Sequence, residues 1–361
     1  MNKNLVSIII PAYQPDEKLL STIRELVESG FDDILVVDDG SRESCQKIFE
    51  IVEQIKECTL LRHSVNKGKG AALKTAIHYF IKNKKDRAVV VTVDADGQHL
   101  VKDIEAVSKA ALESKKVIFG VRNFSNPDVP ARSKLGNQIT ATIFRLFFGM
   151  KLRDTQTGLR AFPQEYLEEM LVVEGDRYEY ETNVLLYMNR LRIPFEQVDI
   201  TTVYIEENQS SHFHVVRDSL RIYGLILKYL FSSVAASVID AFVFYILKRW
   251  TFLTFLPIPL TFSATIFARI ISSLVNYGIN AKHVFKGDTS KETFIRYYIL
   301  AVVQLMVSAT LVFIVEHILH ITSPLLSTVA KAIIDTILFF FSFRIQHKWV
   351  FNNKDNMRGT R

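Results

Sequence analysis

The sequence predicts a Rossmann-like α/β domain followed by an all-α four-helix transmembrane domain. Three observations carry this. Short β-branched runs alternate with helical patterns in the front part, as in a doubly wound parallel sheet covered on both faces. Four long apolar stretches follow one another in the back part. The charges also divide: residues 1–224 hold 30 Lys+Arg against 32 Asp+Glu, whereas residues 225–361 hold 14 against 6. The formal net charge of +6 therefore resides in the most apolar part of the chain. That division excludes a disordered chain and a uniform single domain, and it argues against nucleic acid as the partner.

In the front domain, residues 1–224, the strand-like runs are Leu5–Ile10, Asp33–Val37 and Ala88–Val93, each ending in turn or polar residues. Lys18–Glu28 and Gly70–Phe80 place apolar residues at helical spacing between them. Ligands of doubly wound sheets bind at the carboxyl ends of the strands, and the polar motifs fall there. Met1–Asn4 leads straight into the first strand, so no cleavable signal peptide is expected. Cys45 and Cys58 stand 13 apart without a CxxC or Cys/His cluster, which makes reduced thiols the expectation.

In the back domain, residues 225–353, the spans are expected at about 229–247, 258–281, 297–316 and 322–343, with 354–361 as a tail. Asp240 lies in the first, Arg269 in the second, and Lys331 and Asp335 in the fourth. Ionisable residues at that depth are functional suspects; Asp240 and Arg269 can pair between adjacent spans, and Lys331 and Asp335 within one. Asn276, Asn280 and Gln304 are expected in the bundle interior. The loop between the second and third spans carries Lys282, Lys286, Lys291 and Arg296, and the tail carries further basic residues. An integral membrane protein with both termini and the front domain in the cytoplasm follows. Asn276–Phe285 (NYGINAKHVF) and Ser342–Phe351 (SFRIQHKWVF) share Ile, Lys, Val and Phe at equal spacing. Lys228-Tyr229 and Arg296-Tyr297 open the first and third spans alike. Two repeated hairpins of one orientation are expected.

The motif with most chemical content is D-A-D-G-Q-H, Asp94–His99, directly after the third strand. Two carboxylates two residues apart offer hard oxygens to a divalent cation, Mg²⁺ or Mn²⁺, whose other positions water and substrate phosphates fill. V-V-D-D-G-S, Val36–Ser41, ends a strand in carboxylates able to accept from a base or ribose. Asn66-Lys67-Gly68-Lys69-Gly70 precedes a helix; its glycines, N–H groups and lysines suit a phosphate. It matches neither the P-loop nor the dinucleotide fingerprint, which counts against an ATPase and a dehydrogenase.

S-I-I-I-P-A-Y, V-V-D-D-G-S, N-K-G-K-G-A-A-L and V-D-A-D-G-Q-H, in that order, resemble family 2 glycosyltransferases of the GT-A fold, and within them the dolichyl- and polyprenyl-phosphate sugar synthases. The back part resembles the GtrA family of four-span proteins. The resemblance implies sugar-nucleotide contacts at Pro11, Tyr13, Asp39, Lys69 and Asp94, and a metal at Asp94, Asp96 and Gln98. Where the family reads P-x-Y-N-E, this chain has Pro11-Ala12-Tyr13-Gln14-Pro15-Asp16-Glu17, so Asp16 and Glu17 both remain candidates for the base. Asp154–Phe162 (DTQTGLRAF) resembles the motif near the sugar and puts Asp154 in the reaction centre with Asp96. Arg122, Arg132 and Lys134 precede an amphipathic stretch, Leu135–Met150, resembling the interfacial helix on which the synthases rest. Those three cations and His212, at the position of a family lysine, are candidates for the acceptor phosphate.

The implied activity is inverting transfer of a hexose from a GDP- or UDP-sugar to polyprenyl phosphate at the cytoplasmic face. Two alternatives stay open: a sugar-nucleotide-binding transporter or scaffold without turnover, and a transferase to a hydroxyl. For a hydroxyl, Asp154 would be the general base; a phosphate monoester, largely ionised at neutral pH, has little need of one. A homo-oligomer is compatible with the sequence.

Overall fold

The computed structural model describes residues 1–124, 129–202, 224–249, 260–285, 289–320 and 324–351. The chain divides into two units, Met1–Ile222 and Tyr223–Arg361.

In the first unit, β1 (Val6–Ala12) is buried along almost its whole length, as befits a strand covered on both faces. Asp16 caps α1 (Glu17–Glu28), accepting from Lys18 N at 2.9 Å. The helix buries Leu19, Leu20, Ile23 and Leu26, a single apolar stripe. The chain continues through β2 (Ile34–Asp38), α2 (Gln46–Glu53), β3 (Cys58–Arg62), α3 (Lys69–Asn83) and β4 (Val89–Thr92). Then come α4 (Val101–Ser114), β5 (Val117–Arg122) and α5 (Ala131–Ile143), the last prolonged by a wide turn over Phe144–Phe148. β6 (Arg160–Pro163), α6 (Leu167–Leu171), α7 (Glu179–Leu191) and β7 (Phe195–Ile200) complete it.

The sheet order is β3-β2-β1-β4-β6-β5-β7. β1 pairs in parallel with both β2 and β4, so the strand order reverses between β1 and β4, and a crevice opens at their carboxyl ends. The expected all-parallel sheet is corrected at one strand. β6 lies antiparallel between β4 and β5, with Thr92 opposite Arg160 and Val89 opposite Pro163. After β5 the chain does not cross back over the sheet. It remains at the carboxyl edge, so the next strand must run the opposite way. This mixed sheet agrees with the GT-A fold that the sequence motifs resemble. It also sets Gly158, just before β6, beside the end of β4: Thr92 Oγ1 donates to Gly158 O at 2.7 Å.

α5 reverses the usual burial of a surface helix. Leu135 and Ile139, and Leu146 in the wide turn that follows, are 59, 49 and 40% exposed, while Asn137 and Thr140 are buried. The buried asparagine is occupied: Thr155 N donates to its Oδ1 at 3.2 Å, and its Nδ2 donates to Arg153 O at 2.6 Å. The helix thus fastens the Asp154 loop with its polar face and turns an apolar stripe outward, the pattern of a surface made for an interface.

The second unit contains α8 (Gly224–Arg249), α9 (Leu260–Ile279), α10 (Lys291–Ile318) and α11 (Pro324–Ile345). Among the described residues, Ile226–Leu247 is long and apolar enough to cross a bilayer. The two copies of the repeated motif share a conformation: α9 and α11 both end in a wide turn closed by an i to i−5 bond. Phe285 N donates to Asn280 O at 2.8 Å, and Phe351 N to Gln346 O at 2.9 Å. The two ends meet each other. Asn280 Nδ2 donates to Gln346 Oε1 at 3.0 Å, and Phe285 stacks on Phe351 with centroids 5.0 Å apart. Tyr229 packs edge-on against Phe343 at 4.9 Å, and its counterpart Tyr297 against Tyr277 at 5.3 Å. Ser232 donates to Asn280 Oδ1, and Gln346 donates to Tyr229 OH and Ser342 Oγ. These contacts relate the two hairpins by a pseudo-two-fold arrangement.

The expected Asp240–Arg269 pairing is present at 3.5 Å, with Ser272 donating to the same carboxylate oxygen at 3.0 Å. In the other hairpin Ser308 donates to Asp335 at 2.6 Å. The Lys331 side chain lies outside the described residues, so its pairing with Asp335 is not described.

Candidate active site

A cavity of about 630 Å³ opens at the carboxyl ends of β1, β2 and β4. Among its lining residues are Pro11, Tyr13 and Asp16 from the end of β1, Asp39 from the end of β2, Lys69 from the start of α3, and Asp94 and Asp96 after β4. Of the two acids after Tyr13, Asp16 lines the cavity; Glu17 begins α1.

The N-K-G-K-G segment behaves differently from a phosphate cradle. Lys67 N donates to Asp39 Oδ1 at 2.9 Å and Gly68 N to Asp39 Oδ2 at 2.7 Å. Ala71 N donates to Asp176 O at 2.9 Å. Two N–H groups of the segment, and that of Ala71 directly after it, are therefore spent on the protein. The glycines serve close packing. Gly68 has φ +106°, and a Cβ at Gly70 would run into Tyr180 and the Asp176 backbone. The segment is a braced wall, and its contribution to the cavity's charge is the Lys69 ammonium.

Lys69 Nζ lies 2.7 Å from Asp94 Oδ1 and 2.9 Å from Glu181 Oε2. Burial works against the ammonium, but Asp94 and Glu181 more than offset it and hold its pKa above the ordinary lysine range. Burial also opposes the Asp94 charge, yet Lys69 and then His99, 3.4 Å away, hold that carboxyl well below the usual range. Asp96 goes the other way, raised first by burial and then by the negative charge of Asp94.

Two hard carboxylates on one cavity wall, one destabilised by the other's charge, fit a divalent cation. Among the described residues no third acidic, histidine or cysteine ligand joins them, a donor set that leaves room for water and substrate phosphates. Gln98 is not among the cavity's lining residues; its backbone N–H donates to Asp96 Oδ1 at 3.1 Å.

Asp154 is also off the cavity lining. Its carboxylate is fully buried and gripped by Arg122, whose Nε donates to Oδ2 at 2.7 Å and whose Nη2 donates to Oδ1 at 3.2 Å. Gln156 N donates to Oδ1 at 3.0 Å as well. In the structure Arg122 is the counter-ion of Asp154, and Asp154 is an ion-paired anchor of its loop. Lys134 is exposed on α5; the Arg132 side chain and His212 lie outside the described residues.

Sequence reasoning missed Glu181, His63, Arg177 and Tyr178. His63 Nδ1 is 2.7 Å from Asp39 Oδ1; Arg177 and Tyr178 line the cavity. His63 directly follows β3 at its carboxyl end, a signal available from the strand pattern. The other three come from around the start of α7, more than 80 residues from the motifs they face, and no local pattern marks them.

Residues 7–171 match the model of glycosyl transferase family 2, and residues 226–351 match the GtrA/DPMS transmembrane domain. An uncharacterized protein of Methanocaldococcus jannaschii is 30% identical over 236 residues, 64% of this chain and 95% of that protein. The UDP-N-acetylglucosamine–dolichyl-phosphate N-acetylglucosaminyltransferase of Methanococcus voltae is 29% identical over 246 residues, 63% of this chain and 97% of its own length. Polyprenol monophosphomannose synthase of Mycolicibacterium smegmatis is 26% identical over 210 residues, 55% of this chain and 77% of that enzyme. With these matches and a carboxylate-lysine cavity at the switch point of a GT-A sheet, the chain belongs to glycosyl transferase family 2, joined to a GtrA/DPMS transmembrane domain.

Proposed function

We propose that the protein transfers a hexose from a nucleotide diphosphate sugar to polyprenyl phosphate at the cytoplasmic face of a membrane, inverting the anomeric carbon. The observation that carries this is the convergence of Asp39, Lys69, Asp94 and Asp96 on one cavity. The lipid-phosphate acceptors named for the Methanococcus and Mycolicibacterium relatives support the acceptor.

In this reading Asp39 and the end of β1 hold the nucleoside, and Lys69 meets the negative charge of the diphosphate. Asp94 and Asp96 would hold a Mg²⁺ or Mn²⁺ ion, which when bound supplies Lewis-acid stabilisation of the leaving diphosphate. A phosphate oxygen of the acceptor attacks the anomeric carbon in one displacement, which inverts it. The acceptor is already an anion at neutral pH, so no protein base is needed. That agrees with an Asp154 locked to Arg122 rather than presented to the cavity. In this reading Lys134, exposed beside the apolar stripe of α5, meets the lipid phosphate. Four spans with both termini in the cytoplasm follow from the distribution of Lys and Arg.

The test is incubation of membranes bearing the full chain with labelled sugar nucleotides and polyprenyl phosphate. A labelled lipid that depends on divalent cation and disappears in Asp96→Ala is expected. No labelled lipid across a panel of GDP- and UDP-hexoses, or full activity in Asp96→Ala, would refute the proposal.

A further inference from the structure

Asp39 meets the cavity with its carboxylate almost entirely committed. Oδ1 accepts from Lys67 N at 2.9 Å and faces His63 Nδ1 at 2.7 Å, while Oδ2 accepts from Gly68 N at 2.7 Å. An ionised carboxylate has about four acceptor positions. Three are taken, and the one left is on Oδ2. The side chain is only 4% exposed, which agrees with a single remaining point of access. His63 is itself fixed, because its Nε2 lies 2.9 Å from Thr75 Oγ1 on α3. Gly40, with φ +71°, presses against the Val65–Asn66 backbone and keeps the loop in place. The carboxylate cannot turn to present both oxygens without breaking bonds to two backbone groups and a buried histidine.

We infer that this arrangement selects the base of the donor, with His63 as the positioning residue. This rests on the nucleotide-sugar reading of the cavity. The edge of guanine presents two parallel donors, N1–H and the 2-amino group, which a carboxylate grips best with both oxygens. Uracil presents one imide N–H between two carbonyls. A carboxylate with one open position accepts the single donor of uracil in full and leaves one guanine donor unpaired. An unpaired polar group in a buried site costs binding heavily. Of the two nucleotides that commonly carry hexoses for such transfers, the site takes uridine diphosphate over guanosine diphosphate.

The experiment is calorimetric titration of the full chain in detergent micelles with UDP and with GDP, in buffer containing Mn²⁺. UDP is expected to bind at least about tenfold more tightly than GDP. His63→Leu removes the ring from Oδ1, so UDP affinity falls about tenfold and the UDP-to-GDP ratio moves towards one. His63→Asn keeps an amide N–H near the Nδ1 position and is expected to restore the ratio; it also serves as the folded control. A purely structural role for His63 would lower both affinities together and leave the ratio intact. The inference is overturned if GDP binds as tightly as UDP to the wild-type chain, or if the ratio survives in folded His63→Leu. Failure of both nucleotides to bind the wild-type chain overturns the nucleotide-sugar reading itself, and base selection falls with it.

Discussion

Gly158→Ala tests whether the site depends on the packing of β6 against the end of β4. Gly158 is outside the left-handed region, so alanine is free of backbone strain there. The three atoms closest to a Cβ at this position all belong to the Asp94 carboxylate, and the built Cβ falls 2.6 Å from Oδ1. Ordinary contact begins near 3.4 Å, so Asp94 must retreat by about 1 Å and leave the 2.7 Å ion pair with Lys69. A displacement of about 1 Å at reacting groups costs roughly 10²-fold in rate, or about 2.7 kcal/mol of transition-state stabilisation. Initial rates of labelled-lipid formation measure this, and thermal melting confirms the fold. A further readout is Mn²⁺ affinity, which should weaken because Asp94 is one of the two carboxylates offered to the ion. Activity within about threefold of wild type in a folded Gly158→Ala protein would show that Asp94 need not stand where this packing puts it.

Four further outcomes are expected. Arg122→Gln leaves the fully buried Asp154 carboxylate unpaired, at a cost of about 3–5 kcal/mol and roughly 10 °C in Tm; an Arg122 that served only the acceptor would leave Tm unchanged. Burial, followed by the charge of Glu57, pushes the Cys58 thiol up to about 12, so at pH 8 only about one molecule in 10⁴ carries the thiolate. The folded chain keeps a proton that the unfolded chain loses, hence stability declines as pH climbs from about 8.5 towards about 12. Mass spectrometry should find Cys58 resistant to iodoacetamide at pH 8 until the chain unfolds. Leu135→Glu with Ile139→Glu places charges on the exposed stripe of α5 and should raise KM for polyprenyl phosphate several-fold while sparing the KM for donor. Asn280→Leu removes the amide bridge between the hairpins and should cost about 0.6–2 kcal/mol in detergent melting.

Much of the site was legible because three of its parts sit at the ends of strands that announce themselves. The runs before Pro11, Asp38 and Asp94 are apolar and β-branched enough to be recognised alone, and parallel neighbours bring their polar ends together. What escaped was set by distant pairing. Nothing in R-A-F-P marks it as a strand between β4 and β5, and without that register Gly158 has no visible tie to Asp94. The same holds for Glu181, which is notable only beside Lys69. The N-K-G-K-G segment misled in an instructive way. As sequence its glycines suit a phosphate loop, whereas in the fold they make space for Asp176, Arg177 and Tyr180 of the same chain. Asp154 was marked by its motif, but its ion pair with Arg122 joins residues 32 apart through the fold.

The joining of the two hairpins at Asn280 and Gln346 bears on how the membrane domain survives dilution. Were the hairpins separate polypeptides, their union would depend on how crowded the membrane is, and a sparse bilayer would pull them apart. Covalent linkage makes the encounter unimolecular, with a local concentration set by the connecting loop rather than by expression level. It also releases the two halves from having to be identical. One end carries asparagine and the other glutamine, so the bridge has a defined polarity that a symmetric pair of copies could not impose. The domain is therefore free to let one half change its surface while the other holds the seam.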